Sequence, residues 1–183
     1  PHANIQPEID VLEAVAEDRY MSYRSTIREV FAHRGSVLFV VPTSAHIEQA
    51  VDMLSQGIEK RVVVFSPTLT KKKTAQAYDS FYDLTSAKLI ITTPSHAYLD
   101  RHDITHIIVE QSRSRHYKGK ARPYIDHRDA LKALAHITDR SVTFGDILPR
   151  AEEEHARRDE FYATNGEHPK RINLHAKLDI IKQ

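Results

Sequence analysis

Apolar residues along this chain gather into short runs separated by stretches of helical length. Residues 37–41, 62–65, 89–91 and 107–109 are each rich in β-branched side chains and too short for a helix. Continuous apolar runs of this length suit strands buried on both faces of a parallel sheet. Residues 44–58, 70–84 and 126–137 have helical length, and 141–144 reads as a fifth strand. Strands alternating with helices predict βαβ units with right-handed crossovers, hence a three-layer α/β domain with a mainly parallel sheet.

The two ends carry different periods. Ile9, Leu12, Ala16, Tyr20, Tyr23, Ile27, Val30 and Phe31 recur mostly three or four residues apart, with Pro7 before them and Gly35 after. That spacing predicts one amphipathic helix over 9–31. Ile172, Leu174, Ala176, Leu178 and Ile180 alternate with polar residues, the pattern of a strand with one wet face. Residues 149–162 read as a charged surface helix, with Glu153/Arg157 and Glu154/Arg158 as i,i+4 pairs. The expected organisation is an N-terminal helical segment (1–35), a central α/β lobe (36–150) and a surface helix followed by a strand (151–183).

Composition narrows the chemistry mainly by exclusion. The 183 residues suffice for one domain with a sizeable core. Lys and Arg number 26 against 25 Asp and Glu, so net charge alone indicates no partner and any nucleic-acid case must rest on where the charge sits. With no cysteine, disulfides, thiolate zinc sites and cysteine nucleophiles are excluded. No apolar run reaches the ~20 residues of a membrane span, and no signal peptide opens the sequence, so a cytoplasmic place is expected. The sequence starts at Pro1, without an initiator methionine, and is expected to be a segment of something longer. Twelve histidines invite a metal, but His102 and His106 flank the entry to a strand, where i,i+4 spacing does not converge two imidazoles. A Ser-His-Asp hydrolase lacks its G-x-S-x-G elbow.

Two basic stretches change the picture. Residues 113–124 hold Arg113, Arg115, Lys118, Lys120 and Arg122 with Tyr117 and Tyr124, and no acid. Cations can meet phosphates while aromatic rings stack on unpaired bases. The stretch follows the carboxyl end of a parallel strand, where α/β domains place ligands. The alternatives are a solvated loop with incidental charge and a protein contact. Lys71, Lys72 and Lys73 open a helix, where cations oppose the helix dipole; a DNA contact and a solvated face both account for them.

An ordered series of short matches runs from residue 36 to residue 152. The strand Val37-Leu38-Phe39-Val40-Val41-Pro42 with Gln49 after it, Leu89-Ile90-Ile91-Thr92-Thr93-Pro94-Ser95, Tyr117-Lys118, Arg128-Asp129, and Gly145 with Pro149 fall in sequence. They resemble the VLVLVP, VVIGTRS, YK, RD and GSATP segments in the first motor lobe of the primosomal protein N′ family of replication helicases. The resemblance implies a RecA-like lobe of superfamily 2, nucleic-acid contacts near Lys71–Lys73, and ATP with magnesium as cofactors of an intact member.

The departures bear on that last implication. The family's phosphate loop, GSGKT, falls on Ala16-Glu17-Asp18-Arg19-Tyr20, without the glycines whose N–H groups cradle phosphate. The acidic DEEH falls on Glu110-Gln111-Ser112-Arg113: Glu110 keeps a carboxylate able to hold magnesium, while Gln111 cannot act as a base. GSATP reads Gly145-Asp146-Ile147-Leu148-Pro149, without its hydroxyls. The expectation is a lobe that kept the fold and gave up the motor, with Arg19, Glu110, Gln111 and Gly145 as vestigial positions and a helix in place of the phosphate-loop unit. No cofactor is then expected; ATP and magnesium return only if the motifs are divergent rather than lost. The expected partners are single-stranded or forked DNA, other domains of a longer protein, or primosome proteins, at the bacterial nucleoid. A scaffold module that touches no DNA is the rival reading.

Overall fold

The computed structural model describes residues 8–148 and 150–152, and the backbone of 171–173. The predicted apolar runs form strands β2 (Ser36–Val40), β3 (Val62–Phe65), β4 (Leu89–Thr92), β5 (Ile104–Glu110) and β6 (Ser141–Asp146). The helical stretches form α2 (Ala45–Leu54), α3 (Lys71–Tyr82) and α4 (His127–Ile137). A strand β1 (Ile9–Glu13), a helix α1 (Ala16–Ala32) and a short β7 (Arg171–Asn173) complete a seven-stranded sheet in the order β3-β4-β2-β5-β6-β1-β7. Every paired strand runs parallel to its neighbour.

Burial on both faces explains the unbroken apolar runs. In β2, Val37 and Phe39 point to one side, where they pack with Tyr20, Tyr23 and Ile27 of α1 and Ile47, Ala50 and Leu54 of α2. Leu38 and Val40 point to the other, with Phe81 of α3 and Leu131 and Ala135 of α4. The Tyr20, Tyr23 and Phe39 rings meet at 5.3–6.0 Å, two of the three contacts edge to face. Such pairs add about 0.5–1.5 kcal/mol each beyond area burial.

The N-terminal reading needs correction. Residues 9–31 are not one helix: β1 enters the sheet between β6 and β7, and only from Ala16 onward is the segment helical. The strand expected to be missing is therefore present, as β1, in the same sheet as the rest. The helical spacing misled because Ile9 packs toward the α3/α4 side while Leu12 packs toward α1/α2. A strand apolar on both faces gives three-residue spacings as readily as a helix does. Of the predicted 149–162 helix, Ala151 and Glu152 are helical and Arg150 is not, and of the 171–180 strand, 171–173 form β7; the remainder, including both predicted charge pairs, lies outside the described residues.

Candidate functional site

Parallel strands gather their carboxyl ends on one edge, so the loops leaving β1, β4, β5 and β6 meet there. The link from β1 to α1 is only Ala14 and Val15. Val15 is extended at the helix start, and Glu17 and Asp18 fill the first turn, where negative charge suits the helix dipole. Arg19 follows and turns inward.

Its guanidinium meets Glu110, the last residue of β5, side on: Nε donates to Oε2 at 3.0 Å and Nη2 to Oε1 at 2.5 Å. The remaining nitrogen, Nη1, donates to the Ala14 carbonyl at 2.6 Å. One turn further along α1, the Tyr23 hydroxyl donates to Glu110 Oε2 at 2.7 Å. Both ionic side chains are enclosed, with 5% exposure for Arg19 and 1% for Glu110. Burial works against the charged guanidinium, but its hydrogen bond to Glu110 and their charge attraction prevail and hold Arg19 above its ordinary pKa. Burial, and then the charge of Glu110, raise the Tyr23 phenol well above its usual value, so it remains a donor.

Gly145 of β6 completes this arrangement by having no side chain. A Cβ there would stand 1.6 Å from the Tyr23 hydroxyl oxygen and 3.2 Å from Arg19 Cδ. The four positions named as vestigial therefore converge: Arg19 on Glu110, Gly145 beneath Tyr23, and Gln111 beside Glu110. Gln111 takes a left-handed φ of 51° and turns the chain off β5, so that the Ser112 N–H reaches the Gly145 carbonyl at 3.0 Å. Asp146 then ties the two strand ends together, accepting from the N–H groups of Arg113 (2.8 Å) and Ile147 (2.7 Å).

The basic stretch separates into a buried anchor and an exposed set. Tyr117 is fully buried, and its hydroxyl lies 2.6 Å from the Glu110 carbonyl and 3.0 Å from that of Val40. It cannot stack on a base, which corrects the expected role. Burial, with Glu110 next, holds its phenol protonated well above the usual range. Arg113, Arg115, Lys118, Lys120 and Arg122 are exposed, as are Lys71, Lys72 and Lys73 at the start of α3. Both groups lie on the carboxyl edge. β3 and β5 are separated by β4 and β2, so the two groups stand about three strand spacings, ~14 Å, apart along it.

Several residues that matter here gave no signal on their own. Tyr23 read as one more apolar position, yet it caps Glu110. Arg128, 2% exposed, is clamped by Asp126 through Nε–Oδ1 (2.7 Å) and Nη2–Oδ2 (2.5 Å) and donates from Nη1 to the Ser112 carbonyl at 2.6 Å. Its pairing with Asp126 fixes the far end of the 113–125 loop to α4. The Arg128-Asp129 match was visible in sequence, whereas the clamp on a preceding aspartate was not.

Set beside solved structures, the fold has counterparts. The C-terminal domain of S. cerevisiae Dbp5, solved with Gle1 and IP6, superposes with a TM-score of 0.59 at 12% identity, covering 96% of each chain. Domain 2 of the DEAD-box helicase Mss116p, solved on an RNA duplex, gives 0.57 at 13% identity over 97% of this chain and 69% of that one. The helicase domain of Pyrococcus furiosus Hef gives 0.50 at 14% identity over 80% of this chain and 31% of that one. The chain has a helicase-like RecA fold. No protein-family model matches the sequence, and no curated protein matches it significantly. At these identities the likeness is one of fold. Among the described residues no helix is long and apolar enough to cross a membrane.

Proposed function

We propose that this chain is a nucleotide-independent helicase-like lobe that binds single-stranded or forked DNA through the carboxyl edge of its sheet, in a primosomal replication-restart protein. The observation that carries the reading is the buried Arg19–Glu110 pair. A working first lobe of a helicase directs a flexible glycine loop and a lysine at phosphate, and an acid at magnesium. Here a two-residue link leaves no such loop, and the cation at the lysine's position neutralises the acid internally. Both Glu110 oxygens are engaged, and the Tyr23 ring fills the space over Gly145. These residues do not fit a magnesium-nucleotide, and Glu17 and Asp18 at the mouth would repel one.

What remains at the edge is cationic and accessible. Eight exposed Lys and Arg side chains, at 71–73 and in 113–122, face solvent on the edge where this fold places its ligands. The primosomal assignment rests on the ordered series of sequence matches, three of which now have structural roles, in Tyr117, Arg128 and Gly145. The test is a titration of the protein with single-stranded, forked and duplex DNA across salt. Binding to single-stranded or forked DNA at micromolar strength or weaker is expected, falling steeply between ~50 and ~200 mM salt as counterions are released. Arg113→Ala, Arg115→Ala and Lys118→Ala combined should lower both affinity and salt slope. Flat titrations at ~50 mM salt would end the DNA reading and favour a scaffold role.

A further inference from the structure

With Tyr117 buried, the question is which ring on this edge could hold a base. Tyr98 follows the 3-10 turn Pro94–His96 at the end of β4. The turn is anchored by fully buried Ala97, which leaves Tyr98 44% exposed beside it. Its hydroxyl lies 2.6 Å from Nδ1 of His127, the first residue of α4, and the two rings sit 5.7 Å apart at 35°. Burial, and then the charge of Asp126, raise the Tyr98 phenol above its usual pKa, so the hydrogen bond keeps its proton. His127 is lowered by burial, which leaves a neutral ring at pH 7. A surface tyrosine normally samples several rotamers, whereas this one is held by its tip with its face partly open.

The surroundings fit one kind of ligand. The 113–125 loop is closed at its base by an antiparallel backbone β-bridge between Lys118 and Asp126 and by the Gly119 N–H on the Ile125 carbonyl at 2.7 Å. It presents Tyr124, 70% exposed, and Ile125, 45% exposed, among Lys118, Lys120 and Arg122. Of the nine large apolar side chains exposed among the described residues, Tyr98, Tyr124, Ile125, Ile147 and Leu148 all follow strand ends on this edge. That concentration marks a contact surface rather than scattered exposure. Asp126, the residue before His127, is paired with Arg128. The exposed cations of the 113–122 stretch suit a polyanion, and flat rings among them suit unpaired bases.

We infer that the Tyr98–His127 pair is a preorganised stacking platform for an unpaired base of a DNA strand lying along the carboxyl edge, its phosphates met by the exposed cations of the 113–122 loop. The inference rests on the DNA-binding reading above and adds to it the residues that distinguish single strands from duplex. Base stacking on an aromatic ring contributes about 1–3 kcal/mol, which is roughly 5- to 150-fold in affinity.

The test compares a short oligothymidine with an abasic strand of the same phosphate count, by fluorescence anisotropy at ~50 mM salt. The unmodified protein should bind the base-bearing strand at least about fivefold more tightly. Tyr98→Ala should remove that preference and leave abasic binding and the salt slope unchanged, while Tyr98→Phe keeps most of it. Equal affinity of the unmodified protein for the two strands overturns the platform without any variant having to fold. A preference that survives Tyr98→Ala overturns it as well. In either case, if Arg113→Ala, Arg115→Ala and Lys118→Ala still weaken binding, the DNA-binding reading stands alone. No binding of either strand removes both.

Discussion

Replacing Arg19 by alanine tests whether the Arg19–Glu110 pair is as enclosed as its 5% and 1% exposures indicate. The variant strips Glu110 of two of its three side-chain hydrogen bonds, leaving only the Tyr23 hydroxyl, and orphans the Ala14 carbonyl. Removing one partner of a buried ion pair costs about 3–5 kcal/mol. At pH 7 the melting temperature should fall by roughly 6–20 °C for a chain of this size. Exchanging both partners for methionine should cost less than Arg19→Ala alone, because no charge is left buried. A loss below about 1 kcal/mol would mean that water reaches Glu110. The closed-site argument would then fail.

Gly145→Ala sets a methyl carbon against the Tyr23 hydroxyl at 1.6 Å and should cost at least about 1–3 kcal/mol in urea melts; Tyr23→Phe, which removes that oxygen, should recover part of the loss. His106, with Nε2 2.8 Å from the Thr143 hydroxyl, is held neutral by burial, its pKa lowered from 6.5 to about 4. The unfolded chain then binds the extra proton first, so stability is full above pH 6.5 and falls as pH drops toward 4, by about 3 kcal/mol. His106→Gln should flatten that part of the stability–pH profile, and an unchanged profile would show that the ring is solvated.

Much of the fold could be read from the sequence because this sheet is buried on both faces. The 62–65 run became β3 without any change of boundary, and 89–91 and 107–109 were extended by neighbours such as Thr92 and Ile104 that pair in register. β1 escaped notice because Ile9 and Leu12 serve opposite faces, and their three-residue separation joined smoothly to the true helical spacing of Tyr20, Tyr23 and Ile27. At the site, comparison with a motor lobe picked out Arg19, Glu110, Gln111 and Gly145, yet said nothing of how they pack together. That Arg19 reaches Glu110, 91 residues away, depends on β1 lying beside β6 and on the two-residue link, neither visible in local pattern. Tyr117 was misjudged for a related reason. A tyrosine among exposed cations reads as surface, but the chain turns at Gln111 and carries its ring back beneath the sheet's edge, to the carbonyls of Glu110 and Val40.

In the function proposed above, the Arg19–Glu110 pair occupies the place where a nucleotide-binding first lobe holds its ligand. Isothermal calorimetry with magnesium-ATP, on the unmodified protein and on Arg19→Ala, checks this. No heat of binding tighter than millimolar is expected for either protein. Micromolar binding by the unmodified protein that disappears in Arg19→Ala would overturn the proposal, since Arg19 would then be meeting phosphate rather than Glu110.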